Sequence, residues 1–305
     1  NEPEGTDTAT SAPAGSTAPD SVTEPPETSG TAPVTTAPDL NYDNINKTAA
    51  DMHKGYLILV NYQNAYTFET DFKIQPFYGN KNKSYKLRDT LVSLDQTAMD
   101  WCNKMMEAFD ADTGHHDILV NSSYRTLEEQ EELYAAKVSD YGEEYAKSYV
   151  AMPGYSEHHT GLAIDFTVYT DDNKSKTFDD LTEYPDWLNA NAHKFGYKQR
   201  YPSDKTDLTK INFENWHYRY VGKPHAFYMK SNNLCLEEYI DALRKFTFDG
   251  KHLAITDDEG TKWEIYFVPS AGESTAVPVP KFDEYTVSGN NVDGFIVTVM
   301  KSDTQ

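Results

Sequence analysis

The chain is poor in cysteine. Two occur among 305 residues, Cys102 and Cys235, and neither lies in a CxxC spacing, which excludes a cysteine-ligated structural zinc and a dithiol redox site. The two could close one disulfide in an exported protein or stand as two buried thiols. Positive charge is scarce as well: 27 Lys and Arg against 49 Asp and Glu leave a formal net charge of −22. The phosphate backbone of nucleic acids and anionic lipid surfaces both repel such a chain, so neither is expected as a partner. The acidic excess is spread along the sequence and specifies no substrate. A run of about eighteen apolar residues is also missing, so no segment is expected to span a membrane. The first residue is Asn1 rather than Met, which is consistent with a removed signal peptide or membrane anchor.

The first forty residues lack any aromatic, Lys or Arg side chain and consist largely of Thr, Pro, Ala, Ser, Gly and acidic residues. With nothing to bury, residues 1–40 are predicted to form a disordered, extended tether that holds a folded domain away from a surface. The remaining length suits one sizeable domain with an appendage. We divide it into a catalytic domain over 41–228 and a C-terminal appendage over 229–305, the latter without a catalytic constellation.

Local patterns define the elements. The apolar run Tyr56 to Val60 predicts a buried strand. Leu94, Ala98, Trp101, Met105 and Phe109 recur at helical spacing and predict one amphipathic helix. Ile118 to Val120 reads as a strand. Thr126 and Glu129 are spaced as a capping box, so a helix is expected just after Arg125. From Gly161 to Val168 the residues alternate, with Leu162, Ile164, Phe166 and Val168 on one side and Ala163, Asp165 and Thr167 on the other. That pattern describes a half-buried strand with Asp165 on its polar face. Trp187 to Phe195 predicts a short helix ended by Gly196, and Phe213 to Val221 a strand. Beyond Phe227, a helix over Leu236 to Phe246 precedes strand-like runs at Trp263 to Val268 and Phe295 to Val299. Strands and helices without regular alternation predict an α+β fold with a mostly antiparallel sheet and flanking helices, plus a small β-rich appendage at the C-terminus.

Most of the nine histidines need no special role, and His115, His193 and His252 are read as surface or core residues. Two segments differ. Ser156-Glu157-His158-His159-Thr160-Gly161-Leu162-Ala163-Ile164-Asp165 and Glu214-Asn215-Trp216-His217-Tyr218-Arg219 together offer two imidazoles and a carboxylate. A catalytic zinc takes three such ligands and keeps a fourth position open for water. His158, Asp165 and His217 meet that count. The spacing is not that of ligands one helical turn apart, so His158 and Asp165 would come from a loop turning through Gly161 into a strand, and His217 from a neighbouring strand. Peptide hydrolysis further needs a base and a cation for charge on the carbonyl oxygen. Glu214 and Arg125 are the candidates, against the plainer readings of a surface carboxylate and a helix-start residue in a salt bridge. Residues three apart in a regular strand face opposite sides, so Glu214 and His217 can share a site only if the chain bends or bulges between them.

Together, Ser156-x-His158-x-x-Gly161-x-Ala163-x-Asp165, Glu214-x-Trp216-His217-x-Arg219, Ser123-Tyr124-Arg125-Thr126 with Gln130, and Pro153-Gly154 resemble the D-alanyl-D-alanine carboxypeptidase family of LAS-type zinc peptidases, which includes the vancomycin-resistance carboxypeptidases. The resemblance spans roughly Tyr56 to Gly222 and leaves both ends uncovered. It implies the LAS/hedgehog-type fold and one Zn²⁺ on His158, Asp165 and His217. It also implies Glu214 as general base and later acid, with Arg125 stabilising the oxyanion. By the same resemblance Ser156 and Gln130 would hold the substrate's terminal alanine or its carboxylate. His159 would point away from the metal, Trp216 would pack beneath the site, and Arg219 would either support the metal ligands from behind or form a structural ion pair. Asn215 stands where many relatives carry proline.

The expected activity is zinc-dependent removal of the terminal D-alanine from peptidoglycan stem peptides. L,D-cleavage of tetrapeptide stems and a non-catalytic wall-binding module are the alternatives. The partner would be the stem peptide, the protein a monomer, and the location extracellular or in a bacterial cell envelope, tethered or secreted.

Overall fold

Residues 163–170 form a strand and residues 96–113 a helix on the two periodicities read from the sequence, apolar residues alternating in the first and recurring every three or four positions in the second. A computed structural model describes residues 41–68, 73–170, 172, 174–179 and 181–302. The expected tether, residues 1–40, lies outside them. The N-terminal half contains strands β1 (Tyr42–Thr48), β2 (Ile74–Pro76), β3 (Lys86–Leu87), β4 (Ser93–Asp95) and β5 (Ile118–Ser122), with helices α1 (Gln96–Thr113), α2 (Leu127–Tyr141) and α3 (Glu143–Tyr149). Next come β6 (Ala163–Thr170), β7 (Lys174–Lys176), α4 (Glu183–Asn191), β8 (Tyr197–Tyr201), α5 (Thr206–Thr209), β9 (Glu214–Tyr220), α6 (Lys223–Ser231) and α7 (Leu236–Leu243). Strands β10 (Leu253–Thr256), β11 (Lys262–Pro269), β12 (Ser274–Pro280), β13 (Glu284–Gly289) and β14 (Gly294–Lys301) close the chain. The class is the expected α+β.

The central sheet runs β3-β5-β6-β9-β8, with β7 beside β6, and only the short β3/β5 pair is parallel. A second, wholly antiparallel sheet runs β10-β11-β14-β13. Strand β1 pairs with β12, tying the start of the described chain to its end. The main core sets the inner faces of β5, β6 and β9 against α1, with Ala98, Met99, Cys102, Met105, Met106 and Phe109 buried along one stripe of that helix. Helix α1 begins where the Asp95 carboxylate accepts from the Thr97 and Ala98 amides, the usual saturation of a helix N-terminus. The expected box at Thr126 and Glu129 caps α2 in the same way. A second apolar cluster joins Leu57 and Leu59 to α6, α7, β10, β11 and β14.

One sequence expectation changes and one open alternative is decided. Tyr56 to Val60 is buried as foreseen from Leu57 onward, yet it is no strand. The carbonyls of Tyr56 and Ile58 accept from the Arg219 guanidinium, and the Leu59 amide donates to the Asn290 carbonyl, so the segment satisfies its backbone without a ladder. Cys102 and Cys235 are both free and buried, which removes the disulfide alternative.

Gly161 is the residue on which the approach to β6 depends. It takes a left-handed conformation, φ 66°, at the end of the turn carrying His158, and a Cβ there would stand 2.2 Å from Ile74 Cδ1. Left-handed backbone costs a non-glycine residue about 1–3 kcal/mol when surrounding structure enforces it. Gly161→Ala is therefore expected to lower stability by about that amount, measured as a shift of the urea midpoint.

Candidate active site

Strands β6 and β9 are antiparallel neighbours, and their register sets Asp165 directly opposite His217. Residues opposite one another share a face, so carboxylate and imidazole meet without help from a loop. On the other side of β6, Ser122 of β5 stands opposite Asp165, and Arg125 follows just beyond. His158 comes from the 3₁₀ turn Glu157–Thr160, and Gly161 redirects the chain into β6. Loop, strand and neighbouring strand contribute as the spacing suggested.

The bend required between Glu214 and His217 is present. Pairing of β8 with β9 passes from Gln199 opposite Tyr218 to Tyr201 opposite Glu214, so β9 advances further than β8 over that stretch. The bulge turns Glu214 to the same side as His217, with Glu214 Oε2 3.7 Å from His217 Nδ1. Glu214 is buried, not the surface carboxylate that spacing alone allowed.

Hydrogen bonds fix which imidazole atoms face inward. His158 Nδ1–H donates to the Ser123 carbonyl at 2.6 Å, which leaves Nε2 for the site, 3.2 Å from Asp165 Oδ2. His217 turns its other nitrogen inward: Nδ1 lies 2.8 Å from Asp165 Oδ1. One donor atom from each of His158, Asp165 and His217 lies within 4.8 Å of the others. Two nitrogens and a carboxylate oxygen, with the Ser123 carbonyl behind His158 and Glu157 facing the outer edge of His217 at 3.6 Å, form a donor set suited to a zinc-type cation.

Burial shifts the charges here. It raises Glu214 to about 8, a shift that Asp165 and Glu157 reinforce and His217 and Arg125 oppose. Burial depresses His217, but the hydrogen bond to Asp165 and the nearby Glu157 carboxylate outweigh it and raise the group to about 9. For Asp165 burial is again the largest influence, yet the two histidines hold its carboxylate well below the usual range. Arg125 supplies the opposing charge, its Nη2 4.0 Å from Asp165 Oδ2. Its fork is held by Gln130 Oε1 at 2.5 Å and Ser122 Oγ at 2.9 Å.

The structure distributes the other candidates around this centre. Gln130 is fully buried and its amide is used at both ends, by Arg125 and by the Ala151 carbonyl at 2.6 Å. Ser156 is buried and its Oγ accepts from the His158 amide at 3.3 Å, capping the ligand turn. His159 faces away from the site: Nδ1–H donates to the Arg125 carbonyl at 2.8 Å and Nε2 accepts from the Gly154 amide at 3.1 Å. It thus braces the loop that carries Arg125. Trp216 is half-buried against the main core, and Arg219 is wholly buried in an ion pair with Glu157.

Glu157 and Arg200 escaped sequence reasoning. Glu157 Oε1 accepts from both Arg200 Nε and Arg219 Nη1 at 2.8 Å, while Oε2 faces His217 Nε2 at 3.6 Å. The adjacency of Glu157 to His158 was the only available signal. Arg200 lies in no motif, and only the β8/β9 pairing brings it here.

The family model described as VanY, D-alanyl-D-alanine carboxypeptidase, matches residues 91–223. A D-alanyl-D-alanine carboxypeptidase of Enterococcus faecium is 33% identical over 261 residues, covering 84% of this chain and 79% of that protein. Among solved structures, the vancomycin-resistance D,D-dipeptidase VanXYg in complex with a D-Ala-D-Ala phosphinate analogue superposes with a TM-score of 0.75 at 30% identity. The match covers 85% of this chain and 99% of VanXYg. The D,D-pentapeptidase VanY from the VanB-type resistance cassette, solved as a mutant in complex with Zn(II), gives a TM-score of 0.51 at 33% identity, over 61% of this chain and 98% of that one.

Proposed function

Because this chain belongs to the D-alanyl-D-alanine carboxypeptidase family, we propose that it is a zinc-dependent peptidase that removes the terminal D-alanine from peptidoglycan stem peptides. The observation that carries the reading is the β9 bulge, which sets the buried Glu214 carboxylate beside the His158, Asp165 and His217 cluster. A structural or wall-binding module has no use for that bulge, or for a carboxylate whose burial holds it near neutrality.

His158 Nε2, Asp165 and His217 Nδ1 would hold the zinc, which when bound supplies a water acidic enough to ionise near neutral pH and a Lewis acid for the scissile carbonyl. Glu214 takes the proton of the attacking water and passes it to the departing amine of D-alanine. A pKa raised by burial suits a group that must first accept and then return that proton. Arg125 points its fixed guanidinium toward the position where the carbonyl oxygen gains charge. Ser156 and Gln130 act chiefly through what they hold, the His158 turn and the Arg125 fork. An extracellular or cell-envelope location is part of the proposal. It is supported by the nature of the substrate and by the tether-like composition of residues 1–40.

The test is mass spectrometry of stem pentapeptide and tetrapeptide digests with and without a chelator. Loss of one alanine from the pentapeptide, stopped by the chelator and restored by Zn²⁺, is expected. Cleavage of the tetrapeptide alone would overturn the assigned bond, and activity that survives full metal removal would overturn the metal.

The shifted groups predict how zinc binding depends on pH. In the metal-free protein His217 is raised to about 9 and so carries a proton at pH 7. That proton must leave before Nδ1 can bind a cation. Zinc binding at pH 7 is accordingly expected to release about one proton or more, and the apparent Kd to tighten by about tenfold per pH unit between pH 6 and 8. Calorimetry in two buffers of different ionisation enthalpy measures the release.

A further inference from the structure

Glu157 is a buried carboxylate whose two oxygens are used differently. Oε1 receives both guanidinium bonds described above, and Oε2 receives none. Facing Oε2 at 3.6 Å is His217 Nε2, which likewise has no hydrogen-bond partner. The two atoms face one another, and both are shut off from water. Uncompensated burial of this sort is costly unless the two complete one another.

The carboxylate cannot move freely. Arg219 is held by donating Nη2–H to the carbonyls of Tyr56 and Ile58 and Nε–H to that of Tyr220. Arg200 is held by Glu237 of α7, which receives Nη1 on Oε2 at 2.8 Å and Nη2 on Oε1 at 2.7 Å. Glu237 Oε1 also accepts from Asn61 Nδ2 at 3.0 Å. Two carboxylates and two guanidiniums make a neutral quartet in which every guanidinium nitrogen has an acceptor. One end of it, Glu237, lies in the C-terminal segment and outside every motif of the site.

We infer that Glu157 is a positioning residue for His217, accepting a hydrogen bond from Nε2–H so that Nδ1 is presented inward, and that α7 sets the place of Glu157 through Glu237 and Arg200. The C-terminal segment thereby acquires a task at the metal centre. A carboxylate behind a ligating imidazole fixes the tautomer and raises the basicity of the nitrogen that binds the metal. Two bonds from arginine on Oε1 leave Oε2 the one oxygen able to serve. The inference rests on the reading of His217 as a zinc ligand.

The test uses the full chain with Glu157→Gln and Glu237→Gln variants. Zinc affinity is read by competition with a chromogenic chelator, and the His217 ring by ¹H–¹⁵N spectra of the zinc-loaded, histidine-labelled protein. Glu157→Gln is expected to raise the zinc Kd by about tenfold to a hundredfold and to move the His217 Nε2–H resonance upfield. Glu237→Gln, which touches neither His217 nor the metal, is expected to do both to a smaller degree, and it decides the matter if Glu157→Gln fails to fold. A purely structural role would lower the melting temperature and leave Kd and resonance where they were; that result in both variants overturns the inference. A change confined to Glu157→Gln overturns the part assigned to α7. A wild-type chain that binds no zinc would overturn the functional reading and this inference together, whereas wild-type binding matched by both variants overturns this inference alone.

Discussion

Glu214→Ala is expected to lower kcat/KM for D-Ala-D-Ala peptides by about a thousandfold, within the range for loss of a general acid–base group, while the protein still binds one zinc. The separation of the two effects follows from position. Glu214 is not among the three donor atoms that lie within 4.8 Å of one another, and it reaches the cluster only through the bulge of β9. Removing it leaves His158, Asp165 and His217 with their partners, so affinity for the metal should change little. It also relieves a buried carboxylate of its desolvation, so stability should hold or rise slightly. Glu214→Gln separates charge from shape: the amide fills the same space and cannot accept the proton, so its activity should fall as far as that of the alanine variant. Atomic absorption gives the metal content and steady-state kinetics the activity. Loss of zinc in parallel with activity would make Glu214 a ligand, and activity retained in either variant would remove it from the reaction.

Why the site could be foreseen while its support could not is a matter of where each lies along the chain. His158, Asp165, Glu214 and His217 occupy two short segments, and the turn at Gly161 and the alternation of β6 are local patterns that neighbouring residues dictate. Even the bulge could be stated as a geometric demand, because the two-residue period of a strand forbids Glu214 and His217 one face otherwise. Arg200 and Glu237 had no such mark. Each reads as an ordinary charged residue, and only the pairing of β8 with β9 and the seating of α7 bring them to Glu157. The same holds for Tyr56 to Val60. Hydrophobicity foretold its burial, but its shape depends on the Arg219 guanidinium, which arrives from a residue far along the chain. The expected β-rich character of the C-terminal end was visible in its alternating runs; that β12 would pair with β1 was not, since pairing partners so distant leave no local trace.

Arg125→Ala should lower kcat by about a hundredfold to a thousandfold, the range for loss of one preorganised donor to a developing oxyanion, with a smaller change in KM. The guanidinium is buried to 14% side-chain exposure and anchored at Nη1 by Gln130 and at Nη2 by Ser122. Its orientation is therefore fixed before substrate arrives, which is what makes such a group effective in the transition state. Arg125→Lys should recover little, because a single ammonium cannot bond Gln130 and Ser122 and still face the carbonyl oxygen. Zinc content should stay at the wild-type value in both, since Arg125 meets Asp165 only at 4.0 Å. Gln130 then provides an internal check. Its carbonyl oxygen is spent on Arg125 and its amide on Ala151, so it can affect the reaction only by way of the guanidinium. Gln130→Ala is expected to cost activity in the wild-type background and almost none in the Arg125→Ala background, a non-additivity diagnostic of two residues acting as one unit. Equal losses in the two backgrounds would instead mean that Gln130 meets the substrate directly.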